Sequence, residues 1–415
     1  MKLNKKQLEK INEGVNAIFE FCPKMIDDNE ELIFSDERIK EIVEEEEDIE
    51  GLEIWFPGEH DYTFIEPDDF IDIIDEFKTI EIIDSSYIKT KLTRHYIVSA
   101  NDFTDEHILS FHSLHTKGKG YQINLIDESL IVGMAATKLE EYENDNWGTI
   151  TPYISIEIEY ETENDILSKE DEENLINSYI FEVADTMNIA LTFSEIRNPI
   201  YDLINITGDI AEGDYESLRE LEPYNIGMEF FVSAIQIKDP ELKFLNFYKV
   251  LEHFSPIAVN IEANELMRKK LDAPKSSFED GDYIRSIFTL ANSMRDRYND
   301  EDLIKASFNT CFDFVGLFPT LPPSLKKKIK SSIQVKDLDY STDKQKITTA
   351  CNIAGKIIYK TRNKVVHAKS NFNLTGDEIQ PLEYDELNEF MKEASSQTIR
   401  WYTRQPSHLK LEIIK

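Results

Sequence analysis

The sequence predicts an α+β protein: a mixed N-terminal α/β module with an antiparallel sheet, then an all-α C-terminal helical bundle. Three observations predict it. Apolar residues recur at period two between about residues 79 and 160, the mark of strands with one face covered. From Pro240 onward they recur at helical spacing, with no good alternating run. The charge also splits: residues 241–415 carry 27 Lys and Arg against 24 Asp and Glu, which leaves 18 against 57 for residues 1–240. An asymmetry this large marks two modules with different partners. A chain of 415 residues also exceeds one compact core. We therefore expect an acidic regulatory module over 1–235 and a helical domain over 236–415.

The first 65 residues hold an acidic, helix-like stretch ending in Glu44, Glu45, Glu46, Glu47 and Asp48, read as a solvated face. Strands follow. Tyr121, Ile123 and Leu125 alternate with polar residues, and so do Ile154, Ile156, Ile158 and Tyr160. Segments 80–83 and 96–98 are expected to join them. Lys117-Gly118-Lys119-Gly120 falls in a connection and lacks the spacing of a phosphate loop. Ser168 with Asp171 three positions on has the form of a capping box, opening a helix with a stripe from Leu175 to Met187. Asn198-Pro199 closes the region.

In the C-terminal part Leu242, Leu245, Tyr248, Leu251 and Phe254 line one helical face, followed by Ser255-Pro256. The proline-rich run at 317–323 breaks the helical pattern. Ile347, Cys351, Ala354, Ile358, Thr361 and Val365 form another stripe, and a last helix covers about residues 385–401. Cys22, Cys311 and Cys351 are too few and too scattered for a disulfide framework or a CxxC metal pair. No apolar run approaches bilayer length, and the Lys-containing start lacks an apolar signal segment. A cytoplasmic protein is expected.

The strongest local signal is the segment at 359–367. With Ile358 at zero on a 100° helix, Val365 falls near −20°, Arg362 near 40° and His367 near roughly 180°, away from the core. Asn363 stacks on the same side as His367, flanked by Lys356, Lys360 and Lys364. A His near neutral pKa takes or gives a proton, an Arg holds a phosphate, and an Asn orients either. RNA supplies its own nucleophile in the 2′-hydroxyl. Arg362 and His367 lie about 140° apart on one helix, so two copies apposed in a symmetric dimer would bring them together. On spacing alone, a surface helix with a chance His fits better.

Residues 359–367 resemble the signature of the HEPN superfamily: an Arg, a polar residue, then a His near the end of a helix. Here these are Arg362, Asn363 and His367, with four intervening residues. The segment 245–254, LNFYKVLEHF, resembles the first-helix element of the Apea-like HEPN group. The resemblance covers about residues 236–415, with an insertion expected at about 270–345, and leaves the N-terminal module unassigned. It implies a metal-independent endoribonuclease acting as a homodimer in abortive-infection or toxin–antitoxin defence. His367 would be the general acid/base, Arg362 the phosphate contact and Asn363 the positioning group, with products bearing 2′,3′-cyclic phosphate and 5′-hydroxyl ends. Some members lack nuclease activity and serve as dimerisation or binding modules. The acidic module would then bind a protein trigger or inhibitor, since its negative field repels RNA.

Glu252 is the carboxylate expected to pair with Arg362. Lys326, Lys327 and Lys328, with Lys360 and Lys364, are the candidate RNA-phosphate contacts. Trp401 and Tyr402 are read as packing on the bundle rather than stacking on bases. His107, His112 and His115 form the one histidine cluster, without HExxH or a Cys partner, and are read as surface residues. No cofactor or metal is expected.

Overall fold

The computed structural model describes residues 2–57, 62–100, 109, 114–127, 129–141, 153–197, 218–272, 281–295, 299–366 and 376–410. The chain forms two compact units, Met1–Leu221 and Glu222–Lys415. The division precedes the expected boundary at 235 because the helix Ile226–Gln236 belongs to the second unit, where Phe231 packs on Phe247 at 5.5 Å between ring centroids.

The described helices of the first unit, short turns aside, are α1 (Lys5–Phe21), α2 (Asp36–Glu45), α3 (Pro67–Phe77), α4 (Leu130–Lys138) and α5 (Lys169–Met187). Each begins where its sequence supplies a start. Asn4 and Gln7 cap α1 reciprocally, and the Ser35, Ser129 and Ser168 hydroxyls each accept an N–H of the first turn. Pro67 occupies the first position of α3, where its missing N–H costs nothing. The acidic run after α2 lies on the surface, with Arg38 held 2.7 Å from Glu47.

The strands are β1 (Leu52–Ile54) and β2 (Thr63–Ile65), which pair with each other. The larger sheet holds β3 (Glu81–Asp84), β4 (Tyr87–Lys89), β5 (Thr93–Ser99), β6 (Thr116–Gly118), β7 (Tyr121–Ile126), β8 (Ile154–Tyr160) and β9 (Thr192–Phe193). It is antiparallel, in the order β3-β4-β5-β8-β7-β6, with β9 on the end of β5. The register sets Tyr96 against Ile156 and His95 against Glu157.

Alternation along β8 predicts a strand wet on one side, but that side is covered over its first half, and only Glu159 is exposed. Ile154, Ile156, Ile158 and Tyr160 are buried, and so are Ser155 and His95 on the opposite face. The reason is a second helical layer. Ile88 and Ile97 of the polar face share a core with Leu8, Ile11 and Val15 of α1, Phe70 and Ile74 of α3, and Val132 and Ala135 of α4. On the other face α5 delivers Glu172, which accepts hydroxyl hydrogen bonds from Tyr96 and Tyr160 at 2.8 Å each and lies 3.4 Å from the Arg94 guanidinium. Arg94 also donates to the carbonyls of Thr90 and Thr93. Both members of this buried charge pair are hydrogen-bonded, which lessens the cost of their desolvation.

The second unit is helical: α6 (Ile226–Gln236), α7 (Pro240–Leu271), α8 (Gly281–Arg295), α9 (Asp300–Thr310), α10 (Pro323–Ile333), α11 (Lys344–Val366) and α12 (Tyr384–Thr403). The segment expected as an insertion supplies α9, which packs against both α7 and α11 with Ile304 and Phe308 buried. It is part of the core. The buried face of α7 starts at Phe244 and includes Phe247, Tyr248, Leu251 and Phe254, whereas Leu242 is exposed. Tyr402 of α12 stacks on Phe254 at 4.4 Å, packing on the bundle.

Helix α7 runs through Pro256 unbroken. A proline there removes the N–H that would bond the Glu252 carbonyl. The buried Ser255 hydroxyl donates to that carbonyl instead, at 2.8 Å.

Candidate functional site

Near the end of α11, Arg362 lies against α7. Tyr248 and Glu252 are four apart on α7, so both project toward one neighbour. That neighbour is Arg362. Its Nη2 lies 3.3 Å from Glu252 Oε1, its Nη1 donates to Asn363 Oδ1 at 3.1 Å, and its guanidinium carbon sits 5.6 Å from the centre of the Tyr248 ring. The arrangement follows from the stripe on α11: Cys351, Ala354, Ile358 and Thr361 are buried, which leaves Arg362 at the edge of the packed face. Its side chain retains 27% exposure and that of Glu252 46%. A guanidinium has five N–H donors in a planar fork, so these contacts fix its plane and leave donors for an outside oxyanion.

Tyr248 is buried, and its hydroxyl has no hydrogen-bond partner among the described residues. Burial pushes its pKa well up, the nearby Glu252 carboxylate pushes it further, and Arg362 opposes both. His253, beside Glu252, is half-buried against Phe230 and Phe254, and burial lowers its pKa.

His367 lies outside the described residues, as do His107 and His112 of the histidine cluster. Helix α11 is described through Val366. His115 is exposed. Among the described residues, no group of three or more His, Cys, Asp or Glu side chains could hold a metal ion.

The expected phosphate contacts have intramolecular partners. Lys360 lies 3.0 Å from Asp377, and Lys328 pairs with the same carboxylate from α10. Asp377 is accordingly held down to about 2, first by its bonds to Lys328 and Lys360. Lys364 donates to the Ile379 carbonyl at 3.3 Å and Lys326 to the Pro319 carbonyl at 2.9 Å, while Lys327 is exposed. The backbone N–H of Ile379 in turn donates to the buried Thr361 hydroxyl at 3.0 Å. Residues 377–379 thus lie along the lysine side of α11.

Sequence reasoning missed two participants. Tyr248 was read only as core, although its spacing from Glu252 places it beneath the same partner. Asp377 carries no local signal, because its role depends on where α10 and α11 pack.

Comparisons of the chain with family models, curated proteins and solved structures find no significant match.

Proposed function

We propose that the second unit is a metal-independent HEPN-type endoribonuclease effector of anti-phage or toxin–antitoxin defence, active as a homodimer on an RNA substrate. The observation that supports this most is Arg362, oriented by Glu252 and the Tyr248 ring, still partly exposed, and five positions before His367. In this reading His367 takes the proton from a ribose 2′-hydroxyl, whose oxygen attacks the adjacent phosphorus. The phosphorus–5′-oxygen bond breaks, and the leaving oxygen takes up a proton. Arg362 stabilises the charge that builds on the phosphoryl oxygens, and Asn363 holds the Arg362 fork. The first unit, with most of the acidic residues, is the sensor or docking module for a protein trigger or inhibitor. No helix among the described residues is long and apolar enough to cross a membrane.

A second reading has a specific observation behind it. Lys326, Lys328, Lys360 and Lys364 all have partners within the chain, which suits a non-catalytic dimerisation or binding module. Paired induction of the parent and His367→Ala in cells separates the two. Growth arrest with new RNA ends from the parent alone supports the nuclease. Identical growth and identical RNA ends from both support the binding module.

A further inference from the structure

The first unit contains a cavity of about 400 Å³ between the polar face of the large sheet, α3 and the start of α4. Four carboxylates line it: Asp72 and Glu76 from α3, Glu157 and Glu159 from β8. Among the described residues its lining includes no Lys or Arg, and Leu92, Leu130 and Ile131 supply apolar wall. This size suits a small ligand, and mixed walls with convergent polar groups are what small-molecule sites present.

Among the described residues no Lys or Arg forms an ion pair with these carboxylates. Glu76 Oε2 accepts from the Leu92 N–H at 3.1 Å and from the Thr90 and Thr93 hydroxyls, bonds that fix the group without cancelling its charge. Glu157 faces the imidazole of His95, 3.5 Å away. His95 is fully buried and kept neutral: burial lowers its pKa to about 3. Its Nε2 edge is turned toward Thr93 Oγ1 at 3.4 Å and Glu157 Oε2, both on the cavity wall, and its Nδ1 has no partner among the described residues. Glu157 is pushed up to about 7 by burial and then by the charges of Glu159 and Glu76. A cation entering here would relieve that repulsion.

A point charge does not match the geometry, because no three of these groups converge on one ion among the described residues. An extended cation does. It would place its charged end between Glu157 and Glu159 and its stem along Leu92 and Leu130. We propose that this cavity is a binding site for a small organic cation, an ammonium or guanidinium carried on a short alkyl stem. The proposal is independent of the reading of Arg362.

The test is calorimetric titration of the whole chain with agmatine and with spermidine at fixed ionic strength. The expected result is saturable one-to-one binding of at least one probe. Glu159→Gln, at an exposed strand position, should weaken it about tenfold or more, the loss of one charge-assisted contact. Glu157→Gln should weaken it similarly and abolish the proton release that accompanies binding at pH 7. Glu44→Gln, on the acidic exterior, should leave it unchanged. No saturation by either probe up to roughly 10 mM overturns the proposal. So does equal binding by the parent and Glu159→Gln, or equal loss in Glu44→Gln, since each assigns the effect to bulk negative charge.

Discussion

Arg362 and Glu252 meet at 3.3 Å between Nη2 and Oε1 across 110 residues of chain. Two helices had to pack for this contact to form, and the Tyr248 ring beneath the guanidinium restricts it further. A partly exposed ion pair stabilises little, on the order of 1 kcal/mol or less. Its value lies in aiming the Arg.

Glu252→Gln should therefore leave thermal stability nearly unchanged and lower RNA turnover roughly tenfold at nearly constant KM. Melting curves and steady-state cleavage kinetics on the same preparation check this. A large fall in melting temperature with unchanged turnover would assign the pair to structure.

Asp377 occupies two lysines of the proposed phosphate-binding face. Asp377→Asn should release Lys328, tighten RNA binding by roughly threefold, and steepen its salt dependence. Filter binding across a salt series measures both effects. No change in either would place these lysines outside the RNA path.

Ser255 and Pro256 should be energetically coupled. Ser255→Ala leaves the Glu252 carbonyl without its donor and should cost about 1–3 kcal/mol. In the Ser255→Ala, Pro256→Ala double variant an N–H returns at position 256 and most of that loss should be recovered. Urea denaturation of the four proteins closes the cycle. Additive losses would contradict the substitution of hydroxyl for amide.

The cavity predicts a pH signature. His95 drops from its ordinary 6.5 to about 3 in the folded state, so its contribution is present above pH 6.5 and is lost as pH falls toward 3. Glu157 rises from 4.5 to about 7, so the folded state holds an extra proton between those values and stability falls as pH rises through that window. Glu157→Gln removes the second effect only. Relative to the parent it should gain stability from pH 5 to pH 8, read by urea midpoints, with Glu76 and Glu159 still facing the site. A constant difference across that range would contradict the assignment.

The elements that were legible carry local signals. The serine cap at Ser168 is settled within one helical turn, and β8 follows from its own alternation. The helices at 67–77 and 130–138 were not read from the sequence. What was not legible depends on packing. The burial of Ser155 and His95 needed α1, α3 and α4 folded onto a face that reads as polar. Pro256 reads as a break unless the Ser255 hydroxyl is known to take the vacant carbonyl. The Arg362 and Glu252 positions came from a motif resemblance. The Asp377 clamp came from nothing in the local sequence, since a carboxylate finds two lysines on different helices only once those helices meet.

The most direct test of the central claim is the chemistry of RNA ends after incubation with purified parent, Arg362→Ala and His367→Ala in excess EDTA. The account predicts cleavage by the parent alone, leaving 2′,3′-cyclic phosphate and 5′-hydroxyl ends, with each variant reduced at least about a hundredfold. Cleavage that EDTA abolishes, or that both variants retain in full, would contradict it.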